Sequence, residues 1–218
     1  MSLWIKICAN TSLEDARLAV DAGADALGFI FATSPRRVTP EQVAAITSQL
    51  PEKVEKIGVF VDSPLHEIVA TVRACGLTGV QFHSASVAEL PSLLRAEFGP
   101  ELRILHVVHF GPEAAQQAQV YAADANVDGV LVDSRTATAV GGTGITFDWN
   151  EARRTVFGAG TATRLIAAGG LNPDNVAEAI ATLHPWGIDV ASGVEAAPGR
   201  KDPARVHAFI TNARAASR

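Results

Sequence analysis

"AGADALGF", Ala22 to Phe29, returns three more times in altered spelling: "CGLTGVQF" at Cys75–Phe82, "ANVDGVLV" at Ala125–Val132 and "PWGIDVAS" at Pro185–Ser192. Each version begins on a small or turn-forming residue, passes a polar residue or glycine, and runs into an apolar stretch. Gly23 and Gly76 fall where a left-handed residue ends a helix, so the phrase reads as a helix stop followed by a strand. Outward from these four, the apolar runs are Trp4–Cys8, Ala26–Phe31, Lys56–Val61, Gly79–Phe82, Ile104–Phe110, Gly129–Val132, Leu165–Ala168 and Ile188–Ala191. Between and after them lie Leu13–Ala22, Pro40–Leu50, Pro64–Cys75, Ser86–Phe98, Pro112–Ala123, Phe147–Phe157, Pro173–Leu183 and Pro203–Ala215, each with apolar residues at three- and four-residue steps. Thr39-Pro40, Ser63-Pro64 and Asn172-Pro173 have the form of an N-cap followed by proline at the first helical position.

Strands that alternate with helices predict a parallel sheet, and strands with no polar face of period two predict one buried on both sides. Eight strand–helix units of about 27 residues favour closure into a (β/α)8 TIM barrel over an open doubly wound sheet. No linker or change of composition interrupts the repeat, so residues 1–218 are expected to form a single α/β domain.

A net charge of −5 and a pI near 5.7 argue against nucleic acid or an anionic membrane as partner, since both need a basic surface. No run of Lys and Arg exceeds a pair, and no apolar stretch approaches the roughly 20 residues that cross a bilayer. The expected location is the cytoplasm, where Cys8 and Cys75 would stay reduced as buried filler or as a reactive thiol.

A barrel of this kind keeps its reacting groups at the C-terminal ends of its strands. Those ends supply Cys8 after strand 1, Arg36 and Arg37 after strand 2, His83 after strand 4, Asp133 after strand 6 and Asp189 within strand 8. Three consecutive exits are rich in glycine: Gly141–Gly144 after strand 6, Gly169-Gly170 after strand 7 and "ASGVE", Ala191–Glu195, after strand 8. Loops that bring bare backbone amides near a ligand suit a phosphate, and in this fold the last loops are its usual place.

Other chemistries fit less well. His106 and His109 lie three apart in "HVVH", on opposite faces of one strand, and cannot share a metal ion. A Schiff-base aldolase needs a lysine at a strand exit, and none of Lys6, Lys53, Lys56 and Lys201 occupies one. A non-catalytic or differently specific barrel that binds a sugar phosphate stays open as the alternative.

The stretches "KICANTSLEDA", "GADALGFIFATSPRRVTPEQ", "GVFVD", "VQFH", "GGTGITFDW", "AGGLNPDNV" and "IDVASGVEAAPGRKD" resemble, in order and spacing, the phosphoribosylanthranilate isomerases of tryptophan biosynthesis. Two positions depart from that pattern: Ala9 and Ser84 stand where the family commonly has glycine, which implies shifted loop backbone with the chemistry retained. The resemblance implies an Amadori rearrangement of N-(5-phosphoribosyl)anthranilate to 1-(2-carboxyphenylamino)-1-deoxyribulose 5-phosphate, with no metal and no cofactor. An acid protonates the ring oxygen, and a base removes the C2 proton.

The resemblance assigns the base to Cys8 and the acid to Asp133, a role that asks for a carboxyl still protonated near neutral pH. Lys6, one inward layer below at about 6.6 Å of strand rise, is expected to favour the Cys8 thiolate. Arg36 is expected to pair with the anthranilate carboxylate, and Arg37 to face solvent. Asp189 either orients substrate or makes a buried structural hydrogen bond. His83 is a further substrate-binding candidate, and Cys75 reads as a packing residue. Gly142, Thr143, Gly144, Gly169, Gly170, Ser192 and Gly193 are the phosphate-binding candidates. The partner is a small phosphosugar–anthranilate molecule, with the protein a monomer or homodimer.

Overall fold

The computed structural model describes residues 3–83, 89–134, 147–158 and 164–217. Eight parallel strands close into a barrel in chain order: β1 (Trp4–Ile7), β2 (Ala26–Ile30), β3 (Glu55–Phe60), β4 (Gly79–Phe82), β5 (Arg103–His109), β6 (Gly129–Asp133), β7 (Arg164–Ala167) and β8 (Gly187–Val190). The ring shuts where β8 pairs with β1, in register from Trp4↔Gly187 to Ile7↔Val190. The surrounding helices are α1 (Leu13–Ala22), α2 (Pro40–Thr47), α3 (Leu65–Cys75), α4 (Leu90–Phe98), α5 (Ala114–Ala123), α6 (Trp149–Ala152), α7 (Val176–Leu183) and α8 (Pro203–Ala216). A short antiparallel hairpin, β9 (Glu195–Ala197) with β10 (Arg200–Lys201), follows β8. Among the described residues no helix is long and apolar enough to cross a membrane.

The recurring phrase acquires a physical reason here. Its polar residue immediately precedes β2, β4 and β6, and its side chain accepts an amide near the start of the strand before. Asp25 Oδ2 takes the Ile5 amide at 2.8 Å, Thr78 Oγ1 the Lys56 amide at 2.8 Å and Asp128 Oδ2 the Ile104 amide at 2.7 Å. A buried amide left without such a partner costs about 1–3 kcal/mol.

The barrel interior is filled from alternate strands. Trp4, Ile57, Leu105 and Ile166 come from odd strands and form its lower layer, with Val107, Leu131 and Ala168 above. Glycines on even strands make the space: a Cβ at Gly79 would lie 2.6 Å from Ile57 Cδ1, and one at Gly187 would lie 2.9 Å from the Trp4 ring. The opposite strand faces, carrying Ile5, Ile7, Leu27, Phe29 and Val80, pack outward against the helices.

Helix ends follow the expected chemistry with shifts of a residue or more. Thr39 forms a capping box with Gln42, and Gly23 and Gly76 end α1 and α3 in the left-handed conformation. The α3 helix begins at Leu65 behind Pro64, without a side-chain cap from Ser63. Helix α7 begins at Val176, because Asn172 Oδ1 caps a preceding turn by accepting the amides of Asp174 and Asn175 at 2.8 and 3.2 Å. The predicted start of α4 at Ser86 and the position of Ser84 lie outside the described residues.

Candidate active site

The period-two geometry of the strands aims one set of side chains into the C-terminal mouth of the barrel. Cys8 follows β1 on the same side as Trp4 and Lys6, and Asp133 ends β6 on the same side as Leu131; both are buried. Strand β1 stands three places from β6 around the closed ring of eight, by way of β8 and β7. The mouth therefore carries a thiol and a carboxyl on separated parts of its rim.

Glycines clear the space around each. A Cβ at Gly28 would sit 2.6 Å from Cys8 Sγ and 3.0 Å from Lys6 Cε, so the bare β2 backbone admits both side chains. Gly169 plays the same part for β6. At φ +82° it occupies a backbone conformation that disfavours side chains, and a Cβ there would lie 2.6 Å from Asp133 Oδ1 and 2.1 Å from Ser134 Oγ.

Lys6 is fully buried, and its ammonium donates to Asp189 Oδ1 at 2.8 Å and Gln81 Oε1 at 2.9 Å. Gln81 Nε2 in turn lies 3.1 Å from His83 Nε2. Asp189, Lys6, Gln81 and His83 thus form one polar line across the barrel, from β8 through β1 to β4. Of the two readings left open for Asp189, the buried structural contact is the one these distances display.

Burial alone would push the Lys6 ammonium down, but the carboxylate of Asp189 and the neighbouring Cys8 hold it above the ordinary lysine value. Lys6 pulls the Cys8 thiol in the expected direction, within a larger balance. Burial pushes the Cys8 thiol above its ordinary value; Lys6 and Lys201 pull it down, while Asp189 adds to the upward push. The field of Lys6 has the expected sign, and burial outweighs it in the net upward direction.

Arg36 is also buried, and a carboxylate already meets it. Its Nε contacts both oxygens of Glu195 at 2.9 Å, and Nη2 reaches Oε2 at 2.7 Å. Nη1 has no acceptor among the described residues. Arg37 is exposed, as expected.

The two histidines of "HVVH" separate as the strand geometry requires. His106 stacks on Tyr121 outside the barrel, with ring centroids 3.5 Å apart. His109 follows the inward side of β5 and lies 6.0 Å from the His83 ring.

The loops after β7 and β8 approach each other closely. Gly169 and Gly170 both have positive φ, and a Cβ at Gly193 would lie 1.9 Å from the Leu171 carbonyl oxygen. Among the described residues, no acceptor meets the backbone amides of Gly169, Gly170, Ser192 and Gly193. Gly170 is fastened from behind, its carbonyl accepting from Asn175 Nδ2 at 3.0 Å. Unpaired amides held on stiff backbone form a cradle for an anion. Gly142, Thr143 and Gly144 lie outside the described residues.

Two contributors were not singled out from the sequence. Glu195 and Lys201 belong to the "VEAAPGRKD" stretch, and the β9–β10 hairpin folds both side chains back under the mouth. Lys201 occupies no exit of a barrel strand, but from β10 its Nζ reaches the Cys8 carbonyl oxygen at 2.5 Å. The signal was their place in a motif dense with glycine and charge beside β8. Their partners, far away in the chain, were not legible.

Ala9 answers one of the two departures from the family pattern. It is buried and left-handed, with φ +64°, a conformation that costs a residue with a Cβ about 1–2 kcal/mol. Asn10 holds it there: its amide donates to the Gly28 carbonyl at 2.9 Å, and its Nδ2 to the Ile7 carbonyl at 2.8 Å. The backbone keeps a glycine-like shape and accepts the strain.

Comparison with known proteins agrees with this architecture. The sequence model of the N-(5′-phosphoribosyl)anthranilate (PRA) isomerase family matches residues 5–212. An N-(5′-phosphoribosyl)anthranilate isomerase of Pelobacter propionicus is 45% identical over 207 residues, covering 94% of this chain and 93% of that protein. The crystal structure of phosphoribosyl anthranilate isomerase from Thermotoga maritima superposes with a TM-score of 0.84 at 35% identity, covering 98% of this chain and 99% of its own. A phosphoribosyl anthranilate isomerase solved in complex with reduced 1-(o-carboxyphenylamino)-1-deoxyribulose 5-phosphate gives a TM-score of 0.82 at 33% identity, with 98% and 99% covered.

Proposed function

As the chain belongs to the N-(5′-phosphoribosyl)anthranilate isomerase family, we propose that Cys8 and Asp133 carry out the family's Amadori rearrangement in this enzyme of tryptophan biosynthesis. Asp133 is the general acid: it protonates the furanose ring oxygen, and the sugar opens to an iminium. Cys8 is the general base: as thiolate it removes the C2 proton, and the resulting enolamine tautomerises to 1-(2-carboxyphenylamino)-1-deoxyribulose 5-phosphate. A carboxyl and a thiol on separated strands reach the sugar at different atoms, as two proton transfers require.

One observation carries this reading. A buried thiol and a buried carboxyl share one barrel mouth with the unpaired amides of the β7 and β8 loops. Those amides, on Gly169, Gly170, Ser192 and Gly193, are assigned to the phosphate, together with Gly142, Thr143 and Gly144. Glu195 presets the Arg36 fork, which leaves Nη1 for the anthranilate carboxylate. Asp189 spends Oδ1 on Lys6 and keeps Oδ2 for a sugar hydroxyl, while His83 completes the substrate side of the polar line. A reducing compartment such as the cytoplasm keeps Cys8 as the free thiol that this role needs.

The test is direct: purified protein added to N-(5′-phosphoribosyl)anthranilate should quench the substrate's fluorescence while the ketose accumulates in step. Saturable binding with no ketose would leave a sensor of sugar phosphates instead. The phosphate assignment has its own variant. In Gly193→Ala the new Cβ meets backbone, so the β7 and β8 loops must part. Loss of one charge-assisted bond, worth about 1.5–3 kcal/mol, raises KM about tenfold to a hundredfold with kcat nearly kept. An unchanged KM in steady-state kinetics would move the phosphate elsewhere.

A further inference from the structure

We propose that Lys201 is a positioning residue for Cys8: from the β9–β10 hairpin its ammonium holds the Cys8 carbonyl and keeps a positive charge beside the thiol. This rests on Cys8 being the base. The hairpin turns through Gly199 at φ +76°, and Thr11 Oγ1 donates to the Gly199 carbonyl at 2.5 Å, pinning the turn to the loop after β1. Lys201 is 3% exposed; its amide donates to Asp15 Oδ2 at 3.1 Å, and its Nζ lies 2.5 Å from Cys8 O.

The Cys8 carbonyl depends on that contact. Cys8 donates its own amide to Val190 O at 2.8 Å, but among the described residues no backbone amide donates to its carbonyl. The chain then leaves the ladder through left-handed Ala9. An ammonium at this point fixes the last peptide of β1 and with it the height of the thiol in the mouth.

Lys201 is available because its carboxylate neighbour is engaged elsewhere. Glu195 gives both oxygens to Arg36 at 2.7–2.9 Å and meets Lys201 only at 3.4 Å. Lys6, the other cation beside Cys8, is tied to Asp189 at 2.8 Å. The charged groups around the thiol are thus Lys6 from β1, Asp189 from β8 and Lys201 from β10, with Glu195, Arg36 and Asp15 behind Lys201. Lys201 draws the thiol down against the upward push of burial, while burial pushes Lys201 itself down and Glu195 supports its charge.

Removing the charge at position 201 should therefore move the Cys8 thiol upward. The readout is the pH dependence of iodoacetamide alkylation of the Cys8 peptide by mass spectrometry. Cys75, pushed up to about 11 by burial, serves as an internal reference. Lys201→Met should shift the Cys8 midpoint upward and lower kcat/KM at neutral pH about tenfold or more, with KM changed less than about threefold, because a smaller fraction is thiolate. Lys201→Gln, which keeps a donor for the Cys8 carbonyl without the charge, should shift the same midpoint upward. A folded Lys201→Met with an unmoved or lowered midpoint overturns the proposal. If Lys201→Met does not fold, Lys201→Gln decides alone: a higher midpoint supports the role, and an unmoved or lower one overturns it. Wild-type turnover in Cys8→Ala would instead remove the base assignment, an outcome the alkylation data keep separate.

Discussion

Cys8→Ala lowers kcat by about a thousandfold, some 4 kcal/mol of transition-state stabilisation, while KM stays within a few-fold. The side chain lost is small and buried at the end of β1, and the amides of the β7 and β8 loops assigned to the phosphate are untouched. What disappears is the only thiol that the fold brings to the mouth, since Cys75 ends α3 on the outer side of the barrel with Sγ on the Pro40 carbonyl. Cys8→Ser should fare little better, because a hydroxyl does not ionise near neutral pH. Steady-state kinetics with N-(5′-phosphoribosyl)anthranilate checks both, and a Cys8→Ala enzyme within fivefold of wild type would mean that another group takes the C2 proton.

Asp133→Asn has an effect of the same size for a different reason. The amide has the shape of the carboxyl and fits the space that Gly169 leaves beside Oδ1, so folding and KM are kept. It has no acidic proton to deliver to the ring oxygen, and ring opening then depends on water. The expected fall in kcat is about a thousandfold. An unchanged melting temperature with retained turnover would place the acid elsewhere in the mouth.

The barrel was legible in the chain because its unit repeats locally: helix stop, polar residue, apolar strand. Gly23 and Gly76 act where they were read, and the glycine loops after β7 and β8 lie at the mouth. Pairings between distant residues were not legible. The sequence gives no sign that Asp25 caps the amide of Ile5 on the neighbouring strand, because that contact exists only once β1 and β2 are side by side. Lys6 and Asp189 lie 183 residues apart, Arg36 and Glu195 lie 159 apart, and Lys201 lies 193 from Cys8. Lys6 was therefore paired with Cys8 alone, and Arg36 with substrate alone. Closing the ring adds the carboxylates of Asp189 and Glu195 to those pairs and changes the charge each cation has left to offer.

The account's central claim is that one substrate spans the mouth, its phosphate on the β7 and β8 amides and its sugar between Cys8 and Asp133. The most direct measurement is a crystal structure of the wild-type protein with reduced 1-(2-carboxyphenylamino)-1-deoxyribulose 5-phosphate. The phosphate should accept hydrogen bonds from the amides of Gly170, Ser192 and Gly193, with Cys8 Sγ near C2 and a carboxyl oxygen of Asp133 near the former ring oxygen. A phosphate bound away from those amides, or a sugar that leaves either side chain out of reach, would contradict it.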